Sequence, residues 1–158
     1  MIKVIGIGNR IMGDDGIALK VLEKIKTTLE LLSPKTEVII GETDFIYCLN
    51  RIDDNDIAII VDSTFLGLKP GEVTRISLDQ VNKSSKKAVS QHQLNLINMI
   101  ARYKSSVKVY IIGIEVFNVD LSFSISEKLK TILNDICNDV LSEIQIVLKM
   151  IEAGEQNA

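Results

Sequence analysis

Two stretches of the chain are apolar at nearly every position: Ile2–Gly8 (IKVIGIG) and Ile57–Thr64 (IAIIVDST), the second as far as Val61. A strand with one wet face alternates apolar and polar residues, so runs without alternation belong to strands covered on both faces, as in a parallel sheet between helix layers. The intervening segments carry the helices such a sheet needs. From Asp15 onward, Ala18, Val21, Leu22, Ile25, Leu29 and Leu32 follow the helical period, and Pro34 predicts the stop. EVIIGE (Glu37–Glu42) predicts a second strand and DFIYCLNRI a short helix. The connection FLGLKPGEV, with Pro70-Gly71 as its turn, is too short for a crossover helix, so a fourth strand over Glu72–Leu78 should run antiparallel to the third. Ser90 with Gln93 is a capping-box pair that opens a helix and sets His92 in its first turn. VKVYIIGIEV (Val107–Val116) predicts the fifth strand, and Ser124 with Glu127 a second capping box opening one long last helix. The expected fold is a three-layer α/β/α domain on a five-stranded, mostly parallel sheet, one domain over residues 1–152 with a frayed tail at 153–158.

Eighteen Lys and Arg stand against 21 Asp and Glu, and the only basic cluster is NKSSKK (Asn82–Lys87), expected to be a solvated, mobile loop. This balance argues against a nucleic-acid partner. The apolar run after Met1-Ile2-Lys3 stops at Gly6, too short for a signal peptide or a membrane span, so no membrane association and a cytoplasmic location are expected. Cys48 and Cys137 lack CxxC spacing and fall in apolar, helical surroundings, which predicts buried thiols rather than a disulfide or zinc site. The helix stripes are accounted for by packing, and a monomer is expected.

In sheets of this kind ligands bind at the carboxyl ends of the strands, where the strand order reverses. If strands two and three flank strand one, the residues just past strands one and three are the first suspects. The turn after strand one begins like a dinucleotide fingerprint, but Gly6 and Gly8 are followed by Ile11, and the next glycine is Gly13. Asp14 and Asp15 also put negative charge where a phosphate would sit, which disfavours a nucleotide. An acid near a helix start can be a mere cap, an Asp at a strand end a turn former, and a lone His a surface residue. Yet Asp15, Asp62 and His92 come from three segments that the fold should bring to one edge of the sheet. Two carboxylates and an imidazole suit a divalent transition metal with open positions for substrate or water.

The chain resembles the hydrogenase maturation endopeptidases. GIGNRIMGDDGIAL is similar to that family's opening motif, and GETDFIYCLN, IIVDST, SQHQL and IIGIEV resemble its later segments. The resemblance implies a phosphorylase/hydrolase-like fold with strand order 2-1-3-5-4 and strand four antiparallel. It implies removal of a C-terminal extension from the large-subunit precursor of a nickel-iron hydrogenase after nickel insertion. Asp15, Asp62 and His92 would contact the metal, with Asp15 and Asp62 the catalytic acids, and Asn9, Gly41, Glu42 and Thr43 would line the cleft. The nickel would arrive with the substrate, and no permanent cofactor is expected. The chain departs from the family pattern in carrying Asp15 where many relatives have Glu, and in lacking a proline after strand five; Glu115 there is expected to be a solvated rim residue. A non-catalytic nickel-binding assembly protein would use the same three residues, and a nucleotide- or nucleoside-binding module is the remaining alternative.

Overall fold

A computed structural model describes residues 1–83 and 91–156. The elements are β1 (Ile2–Ile7), α1 (Ile17–Leu32), β2 (Thr36–Glu42), α2 (Phe45–Asn50), β3 (Ile57–Thr64), β4 (Val73–Ile76), α3 (Leu78–Lys83), α4 (Gln91–Tyr103), β5 (Lys108–Glu115), α5 (Glu127–Thr131) and α6 (Leu133–Gln156), with a 3-10 turn over Gly13–Gly16 leading into α1. The strands form one sheet in the order β2-β1-β3-β5-β4. All neighbours are parallel except β4, which runs antiparallel to β5. This is the expected α/β fold, and the strand order reverses between β1 and β3.

The apolar runs are explained by two helix layers. On one face Val4, Ile59, Val61, Ile112 and Ile114 pack against Val21, Leu22, Ile25, Leu29, Ile144 and Val147 from α1 and α6. On the other, Ile5, Ile7, Ala58 and Ile60 pack against Cys48 of α2, Ile52, and Leu96 and Ile100 of α4. Each fully buried Ile or Leu contributes about 1.5–3 kcal/mol of apolar transfer free energy. The period of two then sorts β3: Ser63 shares the α1/α6 face with Ile59 and Val61, and Asp62 and Thr64 share the α2/α4 face with Ala58 and Ile60.

Local signals behave as their chemistry requires. Ser33, the residue before Pro34, is pushed to extended geometry (φ −140°, ψ 100°), and α1 stops there. In the Pro70-Gly71 turn, Glu72 N–H donates to the Lys69 carbonyl, and Gly71 has φ +86°, as the third position of a type II turn demands.

Three boundaries differ from expectation. The fourth strand is confined to Val73–Ile76, because the chain turns at Ser77 into α3, whose start is closed by reciprocal Ser77 and Gln80 hydrogen bonds. The last helix is capped by Ser126, not Ser124; Ser126 accepts from Leu129 N–H while its own hydroxyl donates to Asp14. That helix also breaks at Ile132 (φ −110°, ψ 12°), whose side chain fills the space a Cβ on Gly71 would occupy. α6 follows over Leu133–Gln156. Ser84–Ser90, the end of the basic cluster and the first capping-box serine, lie outside the described residues.

Candidate functional site

The site is built on the turn that leaves β1. Gly8 has φ +148°, and a Cβ there would overlap the carbonyl oxygen of Asp15, so only glycine lets the chain double back so tightly. Asn9 fixes the return: its side-chain oxygen accepts from Ile11 N–H (3.1 Å), and its carbonyl from Met12 N–H (3.1 Å). The 3-10 turn that follows sends its two adjacent aspartates in different directions.

Asp14 is fully buried and turns toward the segment after β5. It accepts from Phe117 N–H (3.1 Å), Asn118 N–H (2.8 Å), Ser126 N–H (2.6 Å) and the Ser126 hydroxyl (3.0 Å), while its own amide donates to the Asn118 carbonyl (3.0 Å). Asp15 is buried against β3. It accepts from Asn9 N–H (2.9 Å) and from the Ser63 hydroxyl (2.7 Å). Asp62 is fully buried near the end of β3 and accepts from Ser63 N–H (2.7 Å). Ser63 therefore ties the two candidate acids together, with its hydroxyl on Asp15 and its amide on Asp62.

Asp62 lies on the sheet face covered by α4, and His92 is the second residue of that helix. The His92 side chain lies outside the described residues. Among those described, no three His, Cys, Asp or Glu side chains gather closely enough to hold a metal ion.

The expected cleft residues divide. Asn9 shapes the turn and lends its amide to Asp15. Thr43 is exposed in the turn after β2. Gly41 is buried, and a Cβ on it would collide with Cys48 Sγ, so it gives α2 room to close on the sheet. Glu42, next to it, is exposed with φ 51° and receives Arg10 Nε at 2.8 Å. Arg10 also pairs with Glu23, and the two acids raise its pKa above the ordinary guanidinium value.

Glu115 corrects an expectation. It is 2% exposed rather than solvated, and its carboxylate accepts from the Thr64 hydroxyl (3.1 Å) and the amides of Leu66 (2.9 Å), Gly67 (3.0 Å) and Leu68 (3.2 Å). The register pairs Thr64 with Glu115, so the loop leaving β3 wraps directly around this carboxylate. The sequence signal was a lone acid inside an apolar strand, a residue type almost never buried without partners. Ser63 had a weaker signal: it follows Asp62, but the strand period puts it on the opposite face, where the 3-10 turn arrives. Chemically, the edge offers two carboxylates tied through one serine, with Asp62 on the face that α4 covers. They can hold a cation or orient a water, and both stand on rigid elements.

A family model described as hydrogenase maturation protease (HycI) matches residues 19–143. A putative hydrogenase maturation protease, MJ0253, of Methanocaldococcus jannaschii is 27% identical over 150 residues, covering 91% of this chain and 96% of that protein. The hydrogenase expression/formation protein HupD of Thiocapsa roseopersicina is 29% identical over 101 residues, 63% of this chain, and there the match spans only 45% of the relative's length. Among solved structures, the hydrogenase maturating endopeptidase HybD from E. coli superposes with a TM-score of 0.72 at 17% identity, covering 92% of this chain and 93% of that one. The [NiFe] hydrogenase maturation protease HybD from Thermococcus kodakarensis gives a TM-score of 0.70 at 22% identity, covering 89% and 97%. At these identities the superpositions speak for the fold.

Proposed function

Because the chain belongs to the hydrogenase maturation protease family, we propose that it removes the C-terminal extension of a nickel-iron hydrogenase large-subunit precursor once nickel has been inserted. The observation that carries this reading is the Asp15–Ser63–Asp62 linkage at the strand-order reversal, with Asp62 on the face where α4 begins. In this reading Asp15, Asp62 and His92 contact the nickel, which belongs to the substrate. The protein itself needs no resident cofactor. A precursor without the metal then lacks the group that draws its chain into the site, so cleavage waits for insertion.

The hydrolysis adds a water oxygen to the scissile carbonyl carbon, breaks the C–N bond and delivers a proton to the leaving amine. The carboxylates of Asp15 and Asp62 serve as ligands, and one of them orients the attacking water. Ser63 holds both at fixed separation, and the Asn9 amide keeps Asp15 from rotating away. Among the described residues no helix is long and apolar enough to cross a membrane.

The test is direct. Nickel-loaded and nickel-free precursors are incubated with the unaltered protein and with Asp62→Asn, and the mass of the precursor C-terminus is measured. Loss of a peptide only from the loaded precursor, and only with the unaltered protein, is expected. No cleavage of a competent precursor would move the site to a nickel-binding assembly role.

A further inference from the structure

The turn that carries Asp15 has no side-chain cap of its own. Met12 before the 3-10 turn and Gly16 before α1 each lack a capping side-chain hydrogen bond. The turn is oriented instead by the segment after β5. Gly13 N–H donates to the Ser122 carbonyl (2.9 Å) and Asp14 N–H to the Asn118 carbonyl (3.0 Å). Gly13 has φ +55°, and a Cβ there would come within 3.0 Å of the Asp120 carbonyl oxygen, so the two backbones are in close contact. The Asp14 carboxylate completes the clamp. Its Oδ2 accepts from Phe117 N–H, Asn118 N–H and the Ser126 hydroxyl, and its Oδ1 from Ser126 N–H. Ser126 in turn caps α5 through Leu129 N–H, so the anchor reaches from the end of β5 to the start of the next helix.

Successive side chains of a 3-10 turn leave it roughly 120° apart, so fixing Asp14 fixes the direction in which Asp15 departs. That direction is toward β3, where Asp15 meets the Ser63 hydroxyl at 2.7 Å and the Asn9 amide at 2.9 Å. We infer that Asp14 is a positioning residue for the reaction: it acts through Asp15, aiming that carboxylate by holding the turn against the post-β5 segment. A carboxylate suits this task, since its two oxygens gather donors from Phe117, Asn118 and Ser126 at once, and a rotation of the turn would break these bonds together. The precision matters because a reacting or ligating group misplaced by about 1 Å can forfeit on the order of a hundredfold in rate. This inference rests on the endopeptidase reading above.

The test uses Asp14→Asn, which keeps the shape but turns an amide NH2 toward N–H donors, alone and in an Asp15→Asn background, together with Ser126→Ala and Ser126→Thr. Each is assayed on the nickel-loaded precursor well below its melting temperature. Asp14→Asn is expected to lower kcat/KM about a hundredfold on its own and less than about twofold in the Asp15→Asn background, because both changes act through one group. Ser126→Ala should cost about fivefold, and Ser126→Thr, which keeps the hydroxyl, should restore most of it. A second readout needs no cleavage: the Asn9 amide, which donates to Asp15, should exchange faster with solvent in Asp14→Asn. A folded Asp14→Asn protein with kcat/KM within about twofold of the parent would overturn the proposal. So would an equal loss in both backgrounds, since Asp14 would then serve stability alone. If Asp14→Asn does not fold, the Ser126 pair decides, and equal activity in the two variants rejects the inference. If the unaltered protein cleaves nothing, the endopeptidase reading fails, and the Asn9 amide decides separately: faster exchange retains Asp14 as the residue that aims Asp15, and unchanged exchange removes it.

Discussion

The two ends of the sheet solve the same problem, a buried carboxylate, in opposite ways. At the amino-terminal edge the acids are matched with cations: Asp56 lies 2.8 Å from the Met1 ammonium and 3.8 Å from Lys3 Nζ, and Glu37 pairs with Lys3 at 2.6 Å and with Arg51. At the carboxyl-terminal edge Asp14 and Glu115 are held among the described residues by amides and hydroxyls alone, and Ser63 and Asn9 supply donors of the same neutral kind to Asp15 and Asp62. An ion pair fixes a carboxylate and cancels its charge. A cradle of neutral donors fixes Asp14 and Glu115 by directed hydrogen bonds instead of by an opposite charge.

The comparison breaks most visibly at Asp14. Asp14→Ala would strand the part-buried amides of Phe117, Asn118 and Ser126 and the Ser126 hydroxyl, and a loss of about 3 kcal/mol, roughly 6–12 °C in melting temperature, is expected by urea and thermal denaturation. A loss below about 1 kcal/mol would mean the cradle is not what holds the post-β5 segment. Next is Glu115→Gln, which keeps the shape but turns an amide NH2 toward N–H donors. About 1.5–3 kcal/mol is expected, with exchange of the Leu66–Leu68 amides accelerated in hydrogen-exchange measurements; amides that remain protected would remove Glu115 from its organising role.

The smallest effect belongs to the cation-paired edge. Burial pushes the Asp56 pKa up, but the Met1 ammonium, the Asp53 amide and Lys3 outweigh it and hold the carboxyl below its ordinary value. Its folded pKa being depressed, Asp56 contributes stability above the ordinary carboxylate range, and that contribution is lost as pH falls through the depressed value. Asp56→Asn should therefore cost within about 1 kcal/mol at neutral pH and converge on the parent in acid. A variant that stays less stable at every pH would show that Asp56 acts through packing instead of charge.

How far the chain could be read in advance divides along the same line. The nearly continuous apolar runs at Ile2–Ile7 and Ile57–Val61 declared a two-faced sheet, and the missing crossover before β4 declared its antiparallel direction, because both depend on local pattern. The roles of Asp14 and Asp15 were not legible, since one residue of 3-10 turn separates an acid facing the post-β5 segment from one facing β3, and spacing does not encode that rotation. Ser124 and Ser126 were similarly ambiguous in SFSIS, and the choice of Ser126 is made by Asp14 from the turn after β1. Glu115 went unrecognised because its partners are mostly backbone amides of a loop, which no side-chain pattern announces. His92 was placed at a helix start by its capping box, and α4 does begin there.

The two thiols carry a last consequence. Cys48 is sealed between α2 and Gly41, where burial and then the charge of Asp44 push its pKa to about 11, and burial raises that of Cys137 as well. Both stay protonated near neutral pH. In the proposed reaction the protein handles a thiophilic metal that must remain with its owner. By keeping its two thiols buried and, in that reading, meeting the metal with oxygen and imidazole, it can inspect the nickel without competing to keep it.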